Sequence, residues 1–169
     1  MKILFIGDVV GRPGREVLEN NLPALEDEFD IDFTIVNGEN ASGGFGMDMK
    51  AYNLITSAGA DVITMGNHTF DNRKIFDFIE EKDNIVRPLN YALKAPGLGV
   101  RSFSLKNGEK VTVMNLLGRA YSNMSLDCPF KMTEDLLKTL SLKETAILVY
   151  FHGDATSEKF CFGHYFDGR

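Results

Sequence analysis

The stretch K-I-L-F-I-G-D at residues 2–8 decides the fold class, because a short apolar run ends there in a glycine and a carboxylate. The same pattern recurs, in different letters, at 32–40, 62–68, 111–119 and 146–154. Apolar runs of about four to eight residues that end in glycine and polar residues are typical of strands buried on both faces. We therefore interpret each run as a strand in the interior of a sheet.

Stretches with helical spacing separate these runs. Apolar residues share one helical face at 17–25 and another at 75–79, and Pro13 and Gly14 open the first helix. Pro23 lies inside the first pattern and predicts a kink or an end there. Strands that alternate with helices indicate βαβ units with right-handed crossovers, which bring the carboxyl ends of successive strands to one edge. The predicted fold class is α/β and layered, with a mostly parallel sheet and helices on the outside.

One antiparallel hairpin interrupts this order. Its strands are predicted at 100–105 and 110–116, and the Asn-Gly pair in the loop 106–109 supplies the positive φ angles of a tight turn. Polar residues at 133–135 and at 156–158 are typical of helix starts, so two further helices are predicted to begin there.

The length and composition are those of an ordinary cored domain. A chain of 169 residues buries about 70% of the surface that it exposes when unfolded, and nothing divides the sequence, so we expect a single domain over 1–169. Its 18 basic and 24 acidic residues give a net charge of −6, which argues against duplex DNA as a partner. The first apolar run is too short to span a membrane and follows only Lys2, so we expect a cytoplasmic protein. Cys128 and Cys161 have no metal-binding or disulfide-framework spacing, and we expect reduced thiols.

Polar residues gather directly after the predicted strands, where parallel sheets form their ligand sites. These residues are Asp8, Glu39, Asn40, Asn67, His68, His152 and Asp154. Carboxylate, amide and imidazole groups are ligands of divalent cations such as Mn, Fe, Zn and Mg. We therefore expect a metal centre at this edge of the sheet.

Each of these residues also has a purely structural interpretation. Asp8 would cap the turn before the first helix, and Glu39 with Asn40 would form a turn. A histidine at a strand end often serves as a hydrogen-bonded structural residue. His164 lies among aromatic residues of the last helix, and for it we favour a surface or core position.

A dinucleotide site is a weaker alternative. The glycines at 7, 11 and 14 follow the first strand but do not form G-x-G-x-x-G, and Asp8 would stand where the pyrophosphate approaches. Metal-independent binding of NAD or FAD would distinguish this alternative.

Four motifs point to a family. They are F-I-G-D-V-V-G at 5–11, N-G-E-N-A at 37–41, M-G-N-H-T at 65–69 and F-H-x-x-A-T-S-E-K at 151–159. Together they closely resemble the YmdB-type family of calcineurin-like metallophosphoesterases, whose members hydrolyse phosphodiesters, including 2′,3′-cyclic nucleotides. The resemblance extends over essentially the whole chain and includes R-P at 87–88, N-L-x-G-R at 115–119 and D-G-R at 167–169.

The resemblance implies a dinuclear metal centre. In it, Glu39 would bridge two divalent metal ions. Asp8 and Asn40 would bind one of them, and Asn67 and His152 the other. Asn40 stands where the wider superfamily has a histidine, and an amide oxygen in that place favours Mn or Fe(II), with Mg and Zn as alternatives.

His68 would stand beside the metals rather than bind them. In that place the resemblance implies the proton donor to the leaving oxygen, while a metal-activated water attacks the phosphorus. The implied substrate is a small nucleotide or RNA-derived phosphodiester of the 2′,3′-cyclic kind, and the acidic net charge agrees with it. The alternative is a catalytically inactive regulatory or interaction protein on the same scaffold, which would bind its partner even after chelation of metal.

The sequence also departs from the family pattern. Members continue beyond 167–169 into a strand with the motif G-T-H-T-H, whose two histidines each complete one metal site. We therefore expect a fragment, a chain completed by a partner such as a second copy in a homo-oligomer, or a shortened relative. Without that strand, an interior strand would become an exposed edge. Tyr150 stands where an acidic residue is common and Asp154 where members tend to have Glu, and we expect both to loosen the orientation of His152.

Overall fold

The first sheet carries the strands nearest the amino terminus. In the computed structural model, which describes residues 1–105, 107–139 and 146–168, four parallel strands lie side by side in chain order. They are β1 (Ile3–Ile6), β2 (Phe33–Asn37), β3 (Val62–Thr64) and β4 (Ile85–Val86). β2 and β3 are buried interior strands, as predicted. β1 is confirmed as a strand but lies half-buried at the edge of the sheet, so its predicted interior position is wrong. β4 has two residues, too few for an apolar run to indicate it.

The second sheet consists of β5 (Val100–Ser104), β6 (Lys110–Leu117) and β7 (Ala146–His152). β5 and β6 are antiparallel, which confirms the predicted hairpin, and β6 and β7 are parallel. The loop residue Lys106 lies outside the described residues. The mostly parallel α/β order is confirmed, but the strands divide into two sheets. An apolar run does not indicate whether its faces meet helices or another sheet, so the pattern alone does not predict this division.

Helices connect the strands. They are α1 (Gly11–Phe29), α2 (Met49–Ser57), the 3₁₀ helix Arg73–Asp77, α3 (Pro129–Leu137) and α4 (Thr156–Phe166). α4 begins where it is predicted, whereas α3 begins at Pro129 instead of 133–135, because a proline in the first turn needs no N–H partner. The predicted α-helical face at 75–79 is not formed: Ile75 lies in the 3₁₀ helix Arg73–Asp77, and Phe78 and Ile79 lie in the turn that follows it. None of the helices in the described residues is long and apolar enough to cross a membrane.

α1 continues through Pro23, so the prediction of a helix end at this residue is wrong. Pro23 is exposed, and the carbonyl group that its missing N–H would have paired can bind water instead. On the buried side, Leu18 and Leu22 are 4% and 0% exposed and hold the helix against the sheet. Packing of the buried face therefore outweighs the local cost of the proline.

Side chains pack the described part of the chain into four layers. α1 and α2 cover one face of the first sheet through Leu22 and Ile55. The opposite face of this sheet, with Ile35 at its centre, packs against Val113 of the second sheet. Phe162 of α4 covers the outer face of the second sheet. The order is therefore helices, sheet, sheet, helices, and truncation of Ile35 to Ala would cost about 2–5 kcal/mol.

Two buried asparagines fix the sheets to each other at their carboxyl ends. Nδ2 of Asn115, on β6, donates to the carbonyl oxygens of Met65 at 2.6 Å and Val86 at 2.8 Å. Nδ2 of Asn90 donates to the carbonyl oxygen of Leu117 at 2.9 Å, and its Oδ1 accepts from the N–H of Leu117 at 2.8 Å. The ends of β3, β4 and β6 are therefore held together, and the loops that follow them meet.

Candidate metal centre

The segments at the carboxyl ends of β1, β2, β3 and β7 bring the predicted metal-site residues together. Nδ2 of Asn40 donates to Oδ1 of Asp8 at 2.7 Å. Nδ1 of His152 lies 3.2 Å from Oε1 of Glu39, and its Nε2 lies 3.0 Å from Oδ1 of Asn67. The two groups adjoin, because Asn40 follows Glu39 in the chain and the Asp8 carboxylate is near enough to raise the pKa of Glu39. We call these five residues the metal cluster.

Glu39 is the buried centre of the metal cluster, with 2% of the residue exposed. Gly66 permits this position, because a Cβ on that residue would lie 2.1 Å from Oε2 of Glu39. The backbone N–H of His68 donates to the same oxygen at 3.3 Å. Burial raises the pKa of the Glu39 carboxyl, and the nearby His152 opposes only part of the rise. The groups around the buried carboxylate therefore supply too little positive charge to offset its burial.

Asp8 and Asn40 form the second part of the metal cluster. Asp8 has a φ of +34°, in the left-handed region that non-glycine residues rarely adopt. Oδ1 of Asn40 is buried and has no hydrogen-bond partner among the described residues. A buried acceptor without a partner costs about 1–3 kcal/mol. A cation bound at Oδ1 of Asn40 would remove that cost.

Tyr150 orients the imidazole of His152. Its hydroxyl lies 2.9 Å from Nδ1 of His152 and accepts from Nδ2 of Asn37 at 3.2 Å. The ring of Phe5 lies against the phenol, with 5.0 Å between the ring centroids. Burial raises the pKa of Tyr150 above its usual range, so the hydroxyl keeps its proton at neutral pH. The tyrosine therefore contacts the histidine directly, although its departure from the family pattern predicts a looser orientation of His152.

His68 lies next to the metal cluster and is oriented by a carboxylate. Its Nδ1 lies 2.7 Å from Oδ2 of Asp71, and the ring of Phe45 meets the imidazole edge to face with 5.0 Å between centroids. Because Nδ1 contacts Asp71, Nε2 is the ring nitrogen left for a further contact. Sequence reasoning missed Asp71. A spacing of three residues brings the side chains of His68 and Asp71 together only if the chain turns between them, and the sequence pattern does not predict this turn.

Comparison with known proteins identifies the chain. The sequence model of a family described as YmdB-like protein matches residues 4–169. The chain belongs to the YmdB-like family. This YmdB-like chain is 45% identical, over 169 residues, to the 2′,3′-cyclic-nucleotide 2′-phosphodiesterase of Bacillus subtilis strain 168, and it covers 63% of that protein.

Two crystal structures resemble the YmdB-like chain. A hypothetical protein from Thermus thermophilus is 38% identical and superposes with a TM-score of 0.91 over 100% of this chain and 64% of that one. A novel phosphatase from Mycoplasma pneumoniae is 35% identical and superposes with a TM-score of 0.90 over 99% of this chain and 60% of that one. The predicted family and the metallophosphoesterase-like α/β fold are therefore confirmed. The chain spans about three fifths of the length of these relatives.

One family motif outside the metal cluster has a structural role in the YmdB-like chain. Arg87 is buried and donates to the carbonyl oxygens of Pro88 at 2.7 Å, Ala95 at 2.9 Å and Pro96 at 3.2 Å. Burial lowers the pKa of its guanidinium group. The R-P motif therefore holds the loop after β4 in shape. Arg169 of the D-G-R motif lies outside the described residues.

The donor set of the metal cluster depends on amides. Among residues 1–105, 107–139 and 146–168, no three side chains of His, Cys, Asp or Glu are grouped closely enough to hold an ion on their own. Asn40 and Asn67 add two amide groups to the cluster. His164 lies on the exposed side of α4, with 6.3 Å between its ring centroid and that of Phe160. Cys128 and Cys161 are free thiols.

Proposed function

We propose that this YmdB-like chain is a metal-dependent phosphodiesterase. Its substrate would be a small nucleotide or RNA-derived phosphodiester of the 2′,3′-cyclic kind. The observation that carries the proposal is the buried Glu39 carboxylate, which stands among donors from three other strand ends. The similarity to the 2′,3′-cyclic-nucleotide 2′-phosphodiesterase of Bacillus subtilis supports the same chemistry.

The metal cluster fits two divalent cations. Glu39 would lie between them, with Asp8 and Asn40 on one side and Asn67 and His152 on the other. Two observations support the fit: the unpartnered Oδ1 of Asn40 and the raised pKa of the buried Glu39 carboxyl. Mn or Fe(II) suits a donor set of carboxylates, amides and one imidazole, and Mg and Zn are the alternatives. Bound cations of this kind neutralise phosphate charge and activate water.

His68 would act as the proton donor to the leaving oxygen. Its backbone N–H binds Glu39, which fixes the residue beside the metal cluster, and Asp71 fixes the ring through Nδ1. A proton on Nε2 would pass to the ester oxygen as the P–O bond breaks. Phe45 covers one edge of the imidazole and restricts its rotation.

The charge of the chain favours a small or single-stranded substrate. Its net charge is −6, so phosphate affinity must come from bound cations instead of a broad basic surface. Duplex DNA binds chiefly through neutralisation of many phosphates by lysine and arginine. A substrate with one or a few phosphates does not need that surface.

Hydrolysis of 2′,3′-cyclic AMP after reconstitution with Mn tests the proposal. We expect turnover that a chelator abolishes and added Mn restores. His68→Ala is expected to retain metal but lose about 100-fold or more in turnover. Normal turnover by this variant would remove His68 from the mechanism. No turnover with Mn, Fe, Mg or Zn, together with partner binding that survives chelation, would favour the non-catalytic alternative.

A further inference from the structure

A cavity of about 280 Å³ adjoins the metal cluster at Asn67 and His152. The rest of its lining comes from Leu117 at the end of β6, from residues 118 and 120–124 of the turn 118–124 that follows, and from residues 153–154. Pockets that enclose whole drug-sized ligands measure about 300–1,000 Å³. The cavity is therefore large enough for a part of a substrate that extends away from the reacting phosphodiester.

Helix α4 and strand β7 hold the turn in place. The two carboxylate oxygens of Glu158, in the first turn of α4, accept from the N–H groups of Arg119 at 2.8 Å and Ala120 at 3.0 Å. The N–H of Gly118 donates to the carbonyl oxygen of His152 at 2.7 Å. The turn is therefore fixed relative to a residue of the metal cluster.

Tyr121 stands at the tip of this turn and lines the cavity. Its side chain is 87% exposed, and its φ of +64° lies in the left-handed region. Residues other than glycine rarely adopt this conformation, and such strain clusters at ligand sites. Packing does not explain an aromatic ring that is held in this conformation and left to solvent.

The chemistry of the lining favours an uncharged ring system over a second phosphate. None of the described residues that line the cavity is Lys or Arg, and Asp154 contributes a carboxylate. Ser122 and Asn123 contribute a hydroxyl and an amide group. Exposed aromatic side chains beside phosphate sites bind nucleobases by stacking, because every base presents a π-face.

We propose that this cavity binds the nucleoside part of the substrate, with the ring of Tyr121 stacked on the base. The proposal rests on the proposed phosphodiesterase function and adds to it a residue that determines specificity. Tyr121 contacts the base and takes no part in breaking the P–O bond. Its removal therefore affects substrate binding and leaves the reaction step intact.

Two cyclic phosphodiesters test the proposal with the Mn-loaded protein. Glycerol 1,2-cyclic phosphate has the same five-membered ring as 2′,3′-cyclic AMP but no base. Tyr121→Ala is expected to raise KM for 2′,3′-cyclic AMP about fivefold or more with kcat unchanged, and to leave both constants for the glycerol diester unchanged. Tyr121→Phe restores the low KM. Phe160→Ala, which removes a 65% exposed aromatic ring on α4, is the matched control and is expected to leave kcat and KM unchanged for both diesters.

An unchanged KM for 2′,3′-cyclic AMP in Tyr121→Ala, or an equal rise for both diesters, would overturn the nucleoside site. If the parent hydrolyses neither diester, the proposed function fails. Binding of adenosine then tests the nucleoside site independently. Adenosine has no phosphate, so its dissociation constant, measured by NMR titration, does not depend on a metal centre. A rise of about fivefold in Tyr121→Ala supports the site. Equal binding by the variant, or no binding by the parent, overturns it.

Discussion

Oδ2 of Asp71 lies 2.7 Å from Nδ1 of His68, and the N–H of Asp71 closes the turn between them by donating to the carbonyl oxygen of His68 at 3.3 Å. The carboxylate selects the ring orientation in which, under the proposed function, Nε2 would face the substrate. An amide in its place accepts either tautomer of the imidazole. We therefore expect Asp71→Asn to lower kcat about 10-fold, with metal content unchanged and a smaller loss than His68→Ala.

Asp77→Asn is the control for this substitution. Asp77 is an exposed carboxylate at the end of the 3₁₀ helix, six residues further along the chain, and its removal changes the net charge equally. Steady-state kinetics of both variants would distinguish the effect of the Asp71–His68 contact on kcat from the effect of losing one negative charge. Equal losses in kcat for the two variants would contradict a positioning role for Asp71.

Tyr150→Phe is expected to weaken metal binding. The substitution keeps the ring against Phe5 but removes the hydroxyl that contacts His152 and accepts from Asn37. Loss of a group that orients a metal-binding histidine typically costs about 10–100-fold in affinity. Calorimetric titration with Mn measures the effect, and Tyr165→Phe, on α4, serves as the control. Equal Mn affinity in the parent and in Tyr150→Phe would show that the hydroxyl does not orient the histidine.

Glu39→Gln is expected to stabilise the metal-free protein. Gln fills the volume of Glu39, which is 2% exposed, without burying a charge. In chelator, the thermal midpoint should rise by a few degrees, since about 1 kcal/mol corresponds to about 2–4 °C in a chain of this size. Glu28→Gln replaces an exposed carboxylate of α1 and should leave the midpoint unchanged. A lower midpoint for Glu39→Gln would mean that the charge stabilises the fold without metal.

We expect the buried Tyr91 hydroxyl to make the protein less stable at alkaline pH. This hydroxyl donates to the carbonyl oxygen of Gly66 at 3.1 Å, and burial raises its pKa from 10.0 to about 12. Between these pH values the unfolded chain releases this proton and the folded chain keeps it, so the free energy of unfolding falls as pH rises. Urea denaturation at about pH 9 and about pH 11 should show a smaller fall for Tyr91→Phe than for the parent. Identical falls would contradict the raised pKa.

The convergence of Asp8 and Glu39 was predictable because parallel pairing of β1 and β2 brings the carboxyl ends of these strands to one edge. His152 lies at the end of β7 in the second sheet, so its contact with Glu39 depends on how the two sheets pack against each other, which the pattern does not predict. The contacts of Asp71 and Tyr150 were not predictable in this way. They depend on the direction of single side chains, which neither an apolar run nor a helical period specifies.

Fold details that depend on tertiary packing were also beyond the sequence pattern. Pro23 is tolerated because Leu22 beside it is fully buried and the proline faces solvent. The division into two sheets depends on the packing of Ile35 against Val113 between the layers. The same apolar residues in the sequence would be expected if a helix covered this face instead. Local propensity therefore predicts which elements form, and packing decides where they end and what covers them.

The number of metal ions bound per chain distinguishes a dinuclear metal centre from a cluster that binds no metal. The protein is reconstituted with Mn or Fe under reducing conditions, freed of loosely bound ions, and analysed for metal per chain beside Glu39→Gln. We expect two ions per chain in the parent, because Glu39 would lie between two sites, and a loss of both ions in the variant. No bound metal in the parent, or equal metal in Glu39→Gln, would contradict this expectation.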